Sequence, residues 1–182
     1  AYHRRQRQMC IRDSLKHLQI KGVTGSTGSM FAEKYKNIEN LTLGLNSRAE
    51  WRKFTIDGNK KFWEYTNQLK NNLGENNPVL HNSKAWGIYQ NILLGLSQNK
   101  EQDVRELLKY ADLDVLENKN PAAYALRALV EQSFISKDCD KSLVFINKAI
   151  ELGGTVDAYT IAGTIYRTVS YTHLRAHETV GN

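Results

Sequence analysis

Apolar residues recur along most of the chain at the three- and four-residue spacing of an α-helix. Between about residues 60 and 167 this spacing is interrupted by Gly, Pro, Ser, Asn and Asp, which favour helix ends. The pattern predicts six helices, over 62–73, 84–97, 101–110, 121–135, from a cap at Asp138 or Asp140 to Gly153-Gly154, and from 155 onward. Ser83 is the predicted cap of the second helix, and Pro121 suits the first turn of the fourth.

Residues 15–59 show short alternating stretches separated by Gly, Ser and Asn. The stretch Leu15-x-x-Leu18-x-Ile20 recurs 23 residues later as Ile38-x-x-Leu41-x-Leu43-x-x-Asn46. This period and pattern resemble a leucine-rich repeat over residues 15–46, in which alternate Leu and Ile side chains point the same way from a short strand. Two parallel strands joined by a helix over 30–37 are the alternative, so both interpretations predict strands here.

The last three predicted helices carry the most specific pattern. It runs Asp138-x-x-Lys141-Ser142-Leu143, then Lys148-Ala149-x-Glu151-x-Gly153, and continues as Ala158-x-x-x-Ala162-Gly163-x-x-Tyr166. Over residues 121–167 it resembles the tetratricopeptide-type repeat, and more closely its Sel1-like variant. The small residues at 149, 158, 162 and 163 would let antiparallel helices approach closely, and Ile and Leu would fill the space between them.

The predicted fold class is mainly α, with antiparallel helical hairpins arranged as in an α-solenoid and a short β-containing segment at the N-terminal side. The expected organisation is a strand-containing segment over 15–59 and a helical-repeat region over 60–167. An ordinary helical bundle with alanine-rich contacts is the alternative to repeat-type hairpins.

The two ends of the chain are related through the genetic code. Codons that can encode residues 8–14 are the reverse complement of codons that can encode residues 168–174. A sequencing adapter joined to both ends of a DNA fragment produces such a relationship, and no principle of protein structure does. We therefore expect residues 1–14 and 168–182 to be translated adapter, and we exclude them from fold reasoning.

Without those two segments the composition changes. Lys plus Arg falls from 25 to 20, Asp plus Glu falls from 19 to 17, and the formal net charge falls from +6 to +3. This removes most of the argument for a nucleic-acid partner. The longest apolar run, residues 92–96, is too short to cross a membrane. Cys139 is then the only cysteine, which is compatible with a reducing compartment and favours the cytoplasm.

The remaining sequence lacks the residue patterns of common catalytic, metal and cofactor sites. His17 and His81 are the only histidines left, and neither belongs to an H-E-x-x-H motif or a Cys/His cluster. The acidic residues around Asp112 and Asp138 do not have the spacing of a calcium loop. We predict no catalytic residue, no cofactor and no metal.

A glycine-containing turn gives the one local indication of a different function. Residues 22–28 hold Gly22, Gly25 and Gly28, but the spacing is not G-x-G-x-x-G and no P-loop lysine follows. The alternative hypothesis is therefore an accessory helical region attached to a nucleotide-binding or other catalytic domain that lies outside this fragment.

The leading hypothesis is a non-enzymatic helical-repeat scaffold that binds a protein or a peptide. Under this hypothesis we expect neither a nucleic acid nor a membrane as a partner. A 36-residue register relates Ala158 to Ala122 and places five candidate contacts on the first helix of successive hairpins. These candidate partner-binding residues are Tyr124, Arg127, Glu131, Thr160 and Arg167.

Overall fold

The structure is a computed structural model that describes residues 32–135 and 139–179, with side chains over 34–135 and 140–167. The described residues form a 3-10 turn, Ala32–Tyr35, and seven α-helices, and they contain no strand. The helices are α1 (Ile38–Arg52), α2 (Ile56–Leu73), α3 (Pro78–Leu93), α4 (Lys100–Asn118), α5 (Pro121–Val130), α6 (Cys139–Glu151) and α7 (Val156–Thr179).

Asparagine and threonine side chains begin most of these helices. Asn37 Oδ1 accepts a hydrogen bond from the amide of Asn40 at 2.8 Å, and Thr155 Oγ1 accepts one from Ala158 at 3.1 Å. Each bond satisfies an amide that has no partner within its own helix. The prediction that Ser83 caps a helix is wrong, because α3 begins five residues earlier. Its first residue is Pro78, and its cap is the preceding asparagine.

Consecutive helices pack against each other, and α3 and α4 do so in antiparallel orientation. Between α3 and α4, His81 Nδ1 lies 2.7 Å from Glu117 Oε2, and Lys84 Nζ donates to Tyr110 Oη at 3.2 Å. As the residue number rises along α3, the residue number of its contact on α4 falls, which shows that the two helices are antiparallel. The mainly helical architecture predicted from the sequence is therefore confirmed.

The main core extends from α3 to α7. Ile146, Ala149, Ala158 and Ile165 are each fully buried in it, as expected for small and apolar residues between packed helices. Gly163 is the exception: it is exposed, and a Cβ added there would meet no described atom within 4 Å. A close helix approach at that glycine is therefore not observed among the described residues.

A second, smaller core lies at the N-terminal side, between the 3-10 turn and helices α1 to α3. Leu69 and Leu80 are fully buried there, and Tyr35 and Leu41 are nearly so. Polar side chains complete this interface: Asn72 Nδ2 donates to Asn40 Oδ1 at 2.8 Å. This core connects the first described residues to the helices that come after them.

The strand-containing segment predicted over residues 15–59 is described from residue 32 onward, and that part contains no strand, so the prediction is wrong there. Residues 38–46, which carry the second leucine-rich-repeat-like stretch, belong to α1. The alternation of Leu41, Leu43 and Leu45 is also compatible with a helix, and only Leu41 is buried. Residues 15–31, with the first stretch and the glycine-containing turn, lie outside the described residues.

Three sequence predictions concern the ends and boundaries of these elements. The helix expected over 121–135 is present, but its last part, Glu131–Ile135, is a π-helical turn. Helix α7 continues to Thr179, so its backbone runs into the segment 168–182 that we interpret as adapter. Residues 1–14 lie outside the described residues, and the interpretation of both ends stays a prediction.

Candidate functional site

Three of the five candidate residues lie on one side of α5 and its π-helical extension. Tyr124, Arg127 and Glu131 follow each other at the three- and four-residue spacing that places side chains on one helix face. Tyr124 is half-buried against the main core, and Glu131 is 3% exposed. The structure therefore brings these three residues together on one helix face, and their role in partner binding stays a prediction.

Arg127 has three partners, which explains why a charged side chain is largely buried here. Its Nε donates to Asp112 Oδ1 at 2.6 Å, and its Nη1 donates to Glu131 Oε2 at 2.7 Å. The guanidinium carbon lies 4.7 Å from the centre of the Phe145 ring. A cation between two carboxylates and an aromatic face has its charge compensated by hydrogen bonds and by the ring.

An open hollow of about 420 Å³ adjoins this ion pair. The residues that line it come from α5, from the π-helical turn and from α6, and we call it the α5–α6 hollow. They are Arg127, Glu131, Ile135, Lys141, Val144 and Phe145. Val144 is 69% exposed and Ile135 is 43% exposed, so apolar surface faces solvent next to the charge of Lys141. Such a surface can contact an apolar side chain and a carboxylate of a partner.

The other two candidate residues lie elsewhere. Thr160 and Arg167 are exposed on α7, and neither lines the α5–α6 hollow. Thr160 Oγ1 donates to the backbone oxygen of Val156 at 2.8 Å, within its own helix. Their part in partner binding stays a prediction, and it requires a partner that extends from the hollow to α7.

Sequence reasoning missed four of the residues that line the hollow: Ile135, Lys141, Val144 and Phe145. A helical register places Lys141 and Phe145 four residues apart on one face of α6, so that part of the signal was present. The π-helical turn that directs Ile135 toward α6 has no such signal. Turns of this kind occur frequently at functional sites.

A second polar cluster joins α3 to α4. The carboxylate of Asp114 is fully buried and accepts a hydrogen bond from Asn82 Nδ2 at 2.6 Å. Burial raises the pKa of Asp114 to about 6, and hydrogen bonds from Asn82 and Asn118 oppose that rise. These partners are all side chains of the same interface, so we assign the cluster to the joining of the two helices.

Within the described ranges, no three or more His, Cys, Asp or Glu residues are grouped so that they could hold a metal ion. Every helix of the described chain is too short or too polar to cross a bilayer. The chain matches no family model, and no curated protein or solved structure is significantly similar to it.

Proposed function

We propose that this chain is a non-enzymatic helical scaffold that binds a protein or a peptide, and that its hairpins are of the tetratricopeptide or Sel1-like kind. The α5–α6 hollow is the observation that carries this proposal. It combines exposed apolar side chains with a cation beside a π-helical turn. The run of antiparallel helices supports it, because stacked hairpins present their faces to partners.

The chemistry of the hollow indicates the kind of segment that would bind. Arg127 is balanced by Asp112 and Glu131, and Lys141 adds a positive charge at the rim of the hollow. Val144 and Ile135 offer apolar surface beside it. The partner is then a peptide that places an apolar side chain against Val144 and a carboxylate close to Lys141.

A display library of random peptides, selected on the full chain, tests this proposal. Val144→Glu puts a charge into the apolar part of the hollow and should abolish the binding of the selected peptides. Val156→Glu is the matched control, because Val156 is a 78% exposed helical valine that does not line the hollow. Equal binding by both variants would contradict the assignment of the hollow.

The role of α7 is tested separately. Arg167→Glu reverses an exposed charge and should weaken any partner that extends from the hollow along α7. Charge reversal at Arg127 or Glu131 alone is less informative, because it breaks a largely buried ion pair. The double variant Arg127→Gln with Glu131→Gln removes both charges of the pair together and creates no like-charge contact with Asp112, so it is the better test of their direct contact with a partner.

The alternative function, an accessory region of a nucleotide-binding or other catalytic domain, depends on residues 22–28, which lie outside the described residues. A thermal-denaturation series with a panel of nucleotides tests it. A ligand that binds the native state raises its apparent stability, so an unchanged melting temperature with every nucleotide counts against that function.

A further inference from the structure

The first described helix meets the last at a cavity of about 140 Å³, which we call the Arg48 cavity. Its walls come from the 3-10 turn, from α1, α2 and α3, and from the N-terminal ends of α5 and α7. Among the residues that line it are Arg48, Ala49, Arg52, Trp86, Thr155 and Asp157. None of the residues that line it belongs to the α5–α6 hollow. A ligand site in this cavity is therefore independent of the proposed function.

Arg48 packs against two aromatic rings at this cavity. Its guanidinium carbon lies 4.4 Å from the ring centre of Trp51 and 4.6 Å from that of Trp86. Its Nη2 donates to Asp157 Oδ2 at 2.8 Å. The centres of the two rings lie only 4.7 Å apart, edge to face, so the rings pack against the guanidinium group side by side and do not enclose it from opposite faces.

Three buried donors on residues that line this cavity have no acceptor among the described residues. They are Nε and Nη1 of Arg48 and Nε1 of Trp86. A buried donor without an acceptor costs free energy, and the cost is larger when the donor is charged. Burial lowers the pKa of Arg48 and Asp157 opposes this, which agrees with a cation that is only partly compensated.

The formal charges at the cavity leave an excess of one positive charge. Arg48 and Arg52 carry two, and Asp157 neutralises one of them. The N-terminal ends of α5 and α7 also line the cavity, through Ala122 and Thr155, and helix N-termini favour negative charge. A single negative charge would complete this balance.

We propose that the Arg48 cavity binds a small monoanionic carboxylic acid. Oxygen atoms of its carboxylate would accept hydrogen bonds from Arg48 and Trp86. Phe62 and Leu45, which also line the cavity, would contact a short apolar substituent. The volume agrees with this class of ligand, since a cavity of about 150 Å³ holds a molecule the size of benzene.

Tryptophan fluorescence of the full chain tests the proposal, because two of its three tryptophans contact the guanidinium group. The probes are butyrate and its neutral analogue butyramide, titrated at constant ionic strength. We expect a saturable change in fluorescence and a higher melting temperature with butyrate, and neither with butyramide. The same response to both probes would overturn the proposal.

Variants at Ala49 test whether butyrate binds in the cavity. Ala49 lines the cavity at an exposed position of α1, so Ala49→Leu should fill the entrance and abolish butyrate binding, whereas Ala49→Ser should retain it. Binding that survives Ala49→Leu would place the ligand elsewhere and overturn the assignment. If Ala49→Leu fails to fold, Arg52→Gln removes a mostly exposed charge and should weaken binding severalfold, and unchanged affinity would again contradict the proposal.

Titrations with two further kinds of ligand identify the source of the carboxylate. Inorganic phosphate that saturates the site at lower concentration than butyrate would overturn the assignment to a monoanionic acid. A tripeptide with a free C-terminus is compared with its amidated form. We expect both to bind more weakly than butyrate. Tighter binding of the free peptide would overturn the assignment to a small free acid and indicate a peptide terminus.

Discussion

The guanidinium group of Arg48 donates a 2.8 Å hydrogen bond to the carboxylate of Asp157, across 109 residues of sequence. Arg48 lies on α1 and Asp157 in the first turn of α7, so one ion pair joins the first described helix to the last. The side chain of Arg48 is only 17% exposed, which separates this pair from the ion pairs on the surface. It holds the two ends of the described helical array together.

Asp157→Asn should lower the free energy of unfolding by about 1 to 3 kcal/mol, because a largely buried cation loses its charged acceptor. Urea denaturation measures the change. Glu101→Gln is the matched control: Glu101 is also a carboxylate in the first turn of a helix, but its partner Arg105 lies 3.3 Å away and both side chains are exposed. That control should lose less than about 1 kcal/mol. Equal losses would contradict a structural role for the Arg48 pair.

Asp114 should make stability depend on pH. Its pKa is raised to about 6 in the folded protein from an ordinary value of 3.8, so the folded state binds the proton more tightly than the unfolded state does. The contribution of this group to stability is therefore fully present below about pH 4 and is lost as the pH rises toward 6. A shift of this size corresponds to about 3 kcal/mol.

Urea denaturation of the wild type and of Asp114→Asn at a series of pH values measures this effect. Between pH 4 and pH 7 the wild type should lose unfolding free energy relative to Asp114→Asn. Above pH 7 the difference between the two proteins should be constant. A difference that is independent of pH would show that the buried carboxyl titrates as it does in the unfolded chain.

Two helical glycines should respond in opposite directions to an added methyl group. Gly87 lies on α3, where a Cβ would come within 2.5 Å of the rings of Phe62 and Trp63. We expect Gly87→Ala to cost about 1 to 3 kcal/mol from overpacking. Gly163→Ala meets open space among the described residues and should gain about 0.5 to 1 kcal/mol from helix propensity. Thermal denaturation distinguishes these outcomes, and a gain in both would contradict the close packing at Gly87.

The end of α4 offers a test of backbone strain. Lys119 follows α4 with φ of 50°, in the left-handed region that favours glycine. Lys119→Gly should therefore raise the unfolding free energy by about 1 kcal/mol. Lys53 follows α1 with φ of −65°, an ordinary helical value, so Lys53→Gly should be destabilising instead. Chemical denaturation of both variants checks the contrast, and two changes of the same sign would argue against it.

The positions of several helix ends could be read from the sequence because their signals are local. Pro121 begins α5 as predicted, since its ring fits the first turn of a helix and it has no amide to satisfy. Gly153 and Gly154 follow α6 with positive φ, a backbone conformation that glycine adopts without steric cost. In both cases the physical cause lies in the residue itself and its immediate neighbours.

Helix α1 shows why the strand prediction was wrong. Its buried residues are Asn40, Leu41 and Ser47, so two of the three are polar. A search for periodic apolar residues does not detect a buried helix face that is mostly polar. The alternate leucines at 41, 43 and 45 indicated a strand instead. Packing against α2 decides the outcome, because it provides hydrogen-bond partners for the polar side chains.

The candidate site also contains some residues that the sequence could predict and others that depend on tertiary packing. The pairing of Arg127 with Glu131 follows from their spacing of four residues on one helix, which the sequence displays. The contribution of Phe145 and Val144 depends on how α6 packs beside α5, and nothing near Arg127 in the sequence specifies it. Sequence alone could therefore nominate the Arg127–Glu131 pair of the hollow, but neither Lys141 nor the apolar wall.

The sequence by itself determined that the chain is mainly helical and where several helices begin and end. Tertiary structure alone decided which charged groups are buried, as Arg48 shows beside the exposed Arg52 on the same helix. The reason is physical: capping and turn preferences act between neighbours in the chain, whereas the desolvation of a charge depends on whatever distant segments pack around it. Arg48 contacts Trp86 of α3 and Asp157 of α7, which both lie far from it in the sequence.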